Sequence, residues 1–359
     1  MSKGRVFVAM SGGVDSSVTA ALLKEAGYEV IGVTMQIWPS DRQASEADRF
    51  GGCCGLEAIE TAKQVASKLG IPHYVMNFRD IFAQRVIDDF CQEYSLGRTP
   101  NPCIRCNEYI KFEALLQRVK ELDADFLATG HYARIDHSPN GYRLLKAVDP
   151  SKDQSYFLYT LGQGELQHLL FPLGDLYKVE VRKLAAKLGL PTSNRRDSQD
   201  ICFIPDGDFR SFIAEHVPPK SGDIVDAEGK ILGKHAGLAQ YTVGQRHGLG
   251  LASNEPLYVL KLNATNNRLV VGTKDQLLGN TLLAGRLRWI SGEAPREPVN
   301  ITAKIRYKSA EVAVKLHPNN GMAEVQFHQP QSAITPGQAV VFYQGDVVLG
   351  GGTINNKID

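Results

Sequence analysis

The chain has 359 residues, and its 40 basic and 39 acidic residues give a net charge of +1. This length predicts two or three domains, and the charge balance neither indicates nor excludes a nucleic-acid partner, because a local basic patch is enough to bind one. The sequence lacks a signal-like apolar region at its start and a long apolar run elsewhere, so we expect a cytoplasmic protein with no membrane partner. Its six cysteines therefore predict reduced thiols or redox chemistry rather than a secreted disulfide framework.

A glycine-rich loop follows the first predicted strand. The apolar run 6–10 leads into residues 11–17, Ser-Gly-Gly-Val-Asp-Ser-Ser, and a helical stretch continues to Ala26. A loop between a strand and a helix is where open α/β sheets bind phosphates, since glycines allow close approach and the helix directs N–H groups at an anion. The missing lysine excludes the P-loop that cradles β- and γ-phosphates. The alternative is an ordinary turn in which Asp15 or Ser16 caps the helix.

Strands and helices alternate along the first two hundred residues. The predicted elements are strand 30–35, helix 59–69, strand 73–78, helix 81–94, loop 95–107, helix 108–122 and strand 126–131. This alternation predicts a doubly wound, Rossmann-like parallel sheet over residues 1–207. Short β-like runs broken by glycine and proline predict a small mixed or β domain over 208–280. The almost wholly strand-like remainder, 281–359, predicts a β-barrel.

Two cysteines lie in a proline-rich segment before a predicted helix. Residues 98–107 read Arg-Thr-Pro-Asn-Pro-Cys-Ile-Arg-Cys-Asn. We expect Cys106 near the helix N-terminus with Arg105 beside it and Lys111 one turn on, so that the helix dipole and both cations favour the nucleophilic thiolate. The pair formed with Cys103 is also compatible with a metal half-site or a redox disulfide. The sequence has no second C-x-x-C to complete a four-cysteine zinc site.

The other cysteines have less informative surroundings. Cys202 ends a polar segment and, taken alone, is most simply interpreted as buried. Cys91 lies among apolar residues at helical spacing, which also indicates burial. Cys53 and Cys54 are adjacent in the loop after the second strand, and we interpret them as structural because adjacent cysteines are poorly placed to chelate one ion.

Taken together, these motifs resemble those of the tRNA-specific 2-thiouridylases, which belong to the N-type ATP pyrophosphatase superfamily. The resemblance spans the chain and rests on residues 11–17, 99–102, 106–107, 110–112, 128–133, 152–157, 197–204 and 241–246. It implies 2-thiolation of the tRNA wobble uridine, with adenylation of the C2 oxygen by ATP and release of AMP and pyrophosphate. It implies further that Cys106 is the nucleophile, and that Cys202 carries a persulfide received from a sulfur donor or relay protein. The two cysteines would pass through a mutual disulfide.

The resemblance also implies the binding residues. ATP would be held by Ala9, Met10, Ser11, Gly12, Gly13, Val14, Asp15, Ser16, Met35 and Gly130. A Mg²⁺ ion would lie near Asp15 and offset the polyphosphate charge. The flipped-out target base would contact Asn101, Pro102 and Cys103. Contacts with tRNA would come from His131, Lys152, Asp153, Gln154, Arg306, Tyr307 and Gln338. The acceptors would be the tRNAs for Lys, Glu and Gln.

One position departs from the best-known family pattern, which has Asp where Cys103 stands. With this extra thiol, Cys103, Cys106 and Cys202 could ligate an iron–sulfur cluster, as in cluster-bearing tRNA thiolases. Two other classes stay open: a nitrogen-installing ATP-pyrophosphatase ligase, which needs no cysteine pair, and an RNA-binding sulfur carrier or iron–sulfur scaffold. Apart from the resemblance, the pair Arg195 and Arg196 suits either phosphate contact or a solvated turn.

Overall fold

A computed structural model of the chain describes residues 2–38, 56–195, 201–204, 208–319 and 321–358. The predictions for Cys53, Cys54 and Arg196 concern residues outside these ranges. Within them, no helix has both the length and the apolar character that crossing a bilayer requires.

Five parallel strands form the sheet of the first domain and confirm the doubly wound prediction. They are β1 (Arg5–Ala9), β2 (Glu29–Gln36), β3 (His73–Asn77), β4 (Phe126–Ala128) and β7 (Leu169–Leu170), in the order β3-β2-β1-β4-β7. After β1 come α1 (Val14–Glu25) and, before β3, α2 (Leu56–Leu69). The chain winds from β1 to β2 and β3 and then returns to the other side of β1 at β4. The carboxyl ends of β1 and β4 therefore flank a switch point, where such sheets bind ligands.

Two helical segments lead from β3 to β4. The first is α3 (Arg79–Phe82), a π-helical turn (Ala83–Ile87) and α4 (Asp88–Ser95); the second is α5 (Pro102–Arg105), a π-helical stretch (Cys106–Leu115) and α6 (Leu116–Lys120). The predicted loop over 95–107 is therefore wrong from Pro102 onward. A helix begins there because Asn101 Oδ1 accepts the N–H groups of Cys103 and Ile104, while Pro102 has no N–H to satisfy.

The rest of the first domain contains a hairpin that the sequence analysis did not predict. Its strands are β5 (Ala133–Ser138) and β6 (Gly141–Lys146), and two further helices, α7 (Gln163–Leu166) and α8 (Lys178–Lys187), follow. The hairpin does not join the parallel sheet. Leu144 and Leu145 pair instead with Val348 and Val347 near the C-terminus, and Leu144 is fully buried.

The central domain begins with a helix, α9 (Phe209–His216). Four strands follow: β8 (Gly222–Val225), β9 (Ile231–His235), β10 (Tyr258–Asn263) and β11 (Arg268–Gly272). They form one sheet in the order β10-β11-β8-β9. Its small core includes Ile224, Val259, Leu269 and Val271, which are all fully buried.

Six antiparallel strands form the predicted C-terminal barrel. They are β12 (Leu278–Trp289), β13 (Val299–Lys304), β14 (Val312–Asn319), β15 (Met322–Ser332), β16 (Ala339–Gln344) and β17 (Val347–Ile358). The barrel closes because β17 pairs with β12 as well as with β16. β17 also pairs with β6 of the hairpin, so main-chain hydrogen bonds join the barrel to the first domain.

Candidate active site

The glycine-rich loop lies at the carboxyl end of β1, where the sequence predicted it. Gly12 has a φ of +66°, and a Cβ at this position would lie 2.5 Å from the carbonyl oxygen of Ala58 in α2. Only glycine fits there. Gly13 is the N-cap of α1 and no side chain caps the helix, so the alternative in which Asp15 or Ser16 is the cap is wrong. The first-turn N–H groups have no partner within the helix and suit an anion.

Serine hydroxyls fix the shape of this loop. Ser16 Oγ accepts the N–H of Ser11 at 3.2 Å and donates to the carbonyl oxygen of Gly13 at 3.2 Å. Ser17 Oγ donates to the same carbonyl at 2.8 Å. Both Ser16 and Ser17 are buried. The loop is therefore held in one conformation by its own side chains, as a preorganised phosphate cradle requires.

The end of β4 lies against the N-terminus of α1. A Cβ on Gly130 would lie 2.9 Å from the backbone of Asp15 and Ser16, so the switch point brings Gly130 beside the loop. Met35, at the end of β2, is buried and lies opposite Met76 of β3. These predicted ATP residues thus share one edge of the sheet, while their contact with ATP stays a prediction.

The carboxylate of Asp15 is bound by two side chains that sequence reasoning missed. Lys178 Nζ lies 2.8 and 2.7 Å from its two oxygens, and the hydroxyl of Tyr132 donates to it at 2.8 Å. The lysine side chain is 9% exposed and that of Asp15 is 32% exposed. Lys178 and Tyr132 therefore already offset part of the charge of Asp15, and its contact with Mg²⁺ stays a prediction. A single lysine at the start of α8 gave no pattern that could have identified this pair.

Cys106 lies one turn further into its helix than predicted. It is the fifth residue after the Asn101 cap, and Cys103 occupies the first turn and is exposed. The cations near it also differ from the expectation. Arg105 lies between two carboxylates, 2.7 Å from that of Glu108 and 3.5 Å from that of Asp89, which offset its charge.

Cys202 lies in a tight turn closed by a hydrogen bond from Ile204 N to Ile201 O at 3.1 Å. Next to it, Phe203 is buried among aromatic rings, with its ring centroid 5.8 Å from Phe82, 5.3 Å from Phe90 and 5.3 Å from Phe212. Helix α3, which carries Phe82, packs against the helix of Cys106. Both cysteines are half-buried and pack against the same apolar cluster. The fold thus brings two distant parts of the sequence to one core.

The thiol, imidazole and carboxylate side chains do not form a metal centre in the described part of the chain. There, no three side chains of His, Cys, Asp or Glu are grouped so that they could hold a metal ion. Cys103, Cys106 and Cys202 therefore do not fit an iron–sulfur cluster in this conformation. Cys91 also packs against the cluster, and burial, followed by the charge of Asp88, raises the pKa of its thiol to about 11.

All three domains meet at the segment before Asn101. The N–H of Thr99 donates to Pro336 O at 2.8 Å, and its hydroxyl donates to that of Thr242 at 3.3 Å. Gln338 Nε2 donates to the carbonyl oxygens of Thr99 at 2.8 Å and Pro100 at 3.3 Å. The barrel and the central domain therefore hold the segment that leads into the cysteine helix.

Most residues predicted to contact tRNA lie at a second domain junction. The ring of Tyr307 packs on Phe157 with centroids 4.4 Å apart, which joins the barrel to the first domain. Asp153 accepts the N–H of Ala147, and Gln154 Oε1 accepts that of Tyr132. Arg306 Nη2 donates to Ser332 O at 3.1 Å. These side chains already make intramolecular contacts, and their binding to tRNA stays a prediction.

His131 is packed as a neutral imidazole. Its Nδ1 lies 2.7 Å from Thr129 Oγ1, and its ring lies 5.8 Å from those of Phe112 and Phe171. Burial, and then the charge of Lys111, lowers the pKa of His131 well below its usual value. Any tRNA contact it makes would thus be a hydrogen bond from a neutral ring.

Three family models match successive parts of the chain. They are described as a tRNA methyl transferase HUP domain at residues 4–206, a tRNA methyl transferase PRC-barrel domain at 210–273 and an aminomethyltransferase β-barrel domain at 279–354. Among solved structures, a 4-thiouridine synthetase–RNA complex with bound ATP has 15% identity and a TM-score of 0.37, over 60% of this chain and 50% of that one.

The curated relatives match far more closely. The tRNA-specific 2-thiouridylase MnmA of Heliobacterium modesticaldum is 54% identical over 99% of this chain and 94% of its own length. That of Geotalea uraniireducens is 52% identical, over 99% and 96% respectively. That of Clostridium perfringens is 48% identical over 100% of both chains. The chain therefore belongs to the tRNA-specific 2-thiouridylase family.

Proposed function

We propose that this chain catalyses the ATP-dependent 2-thiolation of the wobble uridine of tRNA, with release of AMP and pyrophosphate. The observation that carries the proposal is a preorganised phosphate loop in the same domain as Cys106 and Cys202, which pack against one apolar cluster. The names of the relatives support the substrate class. A nitrogen-installing ligase would have no use for the two cysteines.

The first step activates a poor electrophile. The C2 oxygen of uridine attacks the α-phosphorus of ATP, the bond to pyrophosphate breaks, and an O-adenylated uridine forms. The first-turn N–H groups of α1 and its positive dipole end suit the departing pyrophosphate. The C2 carbon now carries AMP, which leaves far more readily than oxide.

The second step transfers sulfur. The outer sulfur of a persulfide on Cys202 attacks C2, and AMP departs with the C–O electron pair. The thiolate of Cys106 then attacks Cys202 Sγ, and the electron pair of the broken S–S bond stays on the sulfur attached to C2. The products are 2-thiouridine and a disulfide between Cys106 and Cys202, which an external thiol reductant reduces. If Cys106 attacks the persulfide first, the released hydrosulfide attacks C2 and the same disulfide results.

The target base would bind at the start of the cysteine helix. Asn101 uses Oδ1 for the cap, whereas its Nδ2 makes no hydrogen bond to any described residue and is available to a uracil oxygen. Pro102 and the exposed Cys103 flank it. The tRNA, with the acceptors for Lys, Glu and Gln as substrates, would lie over the junction of 152–157 with 306–307. A relay protein would deliver the persulfide sulfur.

The test uses purified protein with tRNA, ATP and a persulfide donor. We expect 2-thiouridine and AMP in equal amounts, and loss of 2-thiouridine in the variants Cys106→Ser and Cys202→Ser. Cys91→Ser is the matched control, because this thiol packs against the same cluster but its raised pKa of about 11 keeps it protonated. Full activity of either serine variant would overturn the cysteine roles.

Two further measurements separate the alternatives. Iron and sulfide analysis after anaerobic purification should find no stoichiometric cluster, since the proposed transfer needs only thiols and a persulfide. A bound cluster required for activity would replace this mechanism. Methyl transfer to tRNA without formation of AMP would overturn the proposed reaction as a whole.

A further inference from the structure

The side chain of Arg195 reaches the phosphate loop from a distant part of the sequence. Its Nη1 donates to the carbonyl oxygen of Gly12 at 3.0 Å and to Thr61 Oγ1 at 3.1 Å. Its Nη2 lies 2.9 Å from the carboxylate of Glu57. The guanidinium therefore connects the loop with the start of α2, and its side chain is 27% exposed.

This placement is fixed from several sides. The N–H of Arg195 donates to Thr192 O at 3.0 Å, and its own carbonyl accepts a hydrogen bond from Arg182 Nη1 at 3.1 Å. Thr192 is fully buried. On the other side, Thr61 donates its hydroxyl hydrogen to Glu57 O at 2.8 Å, which leaves its oxygen free to accept from the guanidinium. Backbone and side chain are thus both positioned.

The charge of Arg195 is only weakly compensated. Glu57 is 71% exposed, and an ion pair with such a carboxylate contributes little because water screens it. Asp15, the other carboxylate at the loop, is already bound by Lys178. Because Nη1 already donates to Gly12 and Thr61, a phosphate would be bound by Nη2 in place of the exposed carboxylate of Glu57, as a charge-assisted hydrogen bond. The guanidinium of Arg195 therefore provides a partly neutralised positive charge at the edge of the loop, where the proposed function needs one.

We propose that Arg195 is an ATP-site residue that holds the phosphate loop through Gly12 and stabilises the negative charge of the pyrophosphate. The proposal rests on the proposed use of this loop for ATP. Arg195 also precedes Cys202 by only seven positions in the sequence. One side chain thus connects the nucleotide loop to the segment that leads to the sulfur-carrying cysteine.

The test compares Arg195→Gln, which keeps an amide donor without the charge, with Arg195→Lys, which keeps the charge without the planar fork. We expect Arg195→Gln to raise the KM for ATP and the Ki of inorganic pyrophosphate together by roughly 10- to 100-fold, the effect of one lost charge-assisted hydrogen bond. The KM for tRNA should change less than about twofold, and Arg195→Lys should recover part of the loss.

Arg134→Gln is the matched control. Arg134 is 25% exposed and likewise donates to a backbone carbonyl, that of Lys146, and pairs with an exposed carboxylate, that of Asp346. It should leave both constants for ATP and pyrophosphate unchanged. A KM for ATP within twofold of wild type in Arg195→Gln would overturn the proposal. An equal rise in the KM values for ATP and tRNA would also overturn it, as would a fall in the Tm of Arg195→Gln that accompanies the rise in the KM for ATP. Wild-type protein that makes no AMP would instead overturn the proposed function.

Discussion

Replacing Lys178 with methionine tests the charge arrangement at the phosphate loop. The substitution keeps a long apolar side chain but removes the ammonium group that lies 2.7 and 2.8 Å from the oxygens of Asp15. Among the described residues, the hydroxyl of Tyr132 would then be the one side-chain partner left to the carboxylate. An uncompensated negative charge would remain beside the loop that we propose binds the phosphates of ATP.

The expected loss of stability follows from the burial of the two partners. Removing one member of a fully buried ion pair costs about 3–5 kcal/mol. Asp15 is 32% exposed and lies in the first turn of α1, where the helix dipole favours an anion, so water and the dipole offset part of that cost. We expect a loss of about 2 kcal/mol for Lys178→Met, which corresponds to a fall in Tm of about 4–8 °C.

Thermal and urea unfolding of Lys178→Met, Asp15→Asn and the double variant measures this coupling. The double variant should be more stable than Lys178→Met, since it buries no unpaired charge. Lys63→Met is the control, because Lys63 and Glu60 form an exposed pair at 4.0 Å that should contribute less than about 0.5 kcal/mol. A wild-type midpoint for Lys178→Met would refute the reasoning. So would a double variant that is no more stable than Lys178→Met.

Three further substitutions or titrations test individual residues. Because the pKa of Cys91 is about 11, its alkylation by iodoacetamide in the folded protein should rise roughly tenfold per pH unit up to about pH 10, whereas a plateau near pH 9 would contradict the raised pKa. Gly130→Ala places a Cβ 2.9 Å from the backbone of α1, so it should lower the free energy of unfolding by about 1–3 kcal/mol and abolish most AMP formation. Gly164→Ala is the control, because Gly164 has open space around it, and it should change neither the stability nor AMP formation. Burial lowers the pKa of His131, so the folded state binds fewer protons at this residue than the unfolded state. The free energy of unfolding should therefore fall as the pH drops below about 6.5. The urea midpoint of His131→Gln should fall less than that of the wild type over the same pH range.

The parts of the site that the sequence predicted correctly depend on short-range patterns. Two glycines after an apolar strand and before a helix predict the position of the tight loop, and strand–helix alternation predicts the sheet; phosphate binding by the loop stays a prediction. The error over residues 95–107 came from interpreting its prolines as loop formers. Pro102 is instead the first residue of a helix, because Asn101 satisfies the first N–H groups and a proline at that position lacks the N–H that would need a partner.

Two contacts at the loop that the sequence did not predict join distant residues. Lys178 meets Asp15 and Arg195 meets Gly12, in each case across more than 160 positions, and no local pattern identifies such partners. The hairpin β5–β6 is a different case, because its own strands pair locally, with Ser138 opposite Gly141 across a turn that contains Asn-Gly, which the sequence analysis did not use. Only its pairing with β17 depends on how the barrel lies against the first domain. The resemblance to a family indicates which residues matter, but it does not say which side chain each one contacts.

Gln338 shows why that difference matters for function. The resemblance assigns it to tRNA, yet its amide nitrogen donates to the carbonyl oxygens of Thr99 and Pro100, just before the cap of the cysteine helix. Its loss would therefore disturb the position of Cys106 as well as any tRNA contact. Only a substitution that leaves sulfur transfer to the free nucleoside intact while it weakens tRNA binding would isolate the tRNA contact. If Gln338 binds tRNA as the resemblance implies, its substitution would affect tRNA binding and the position of Cys106 through the same contacts with Thr99 and Pro100.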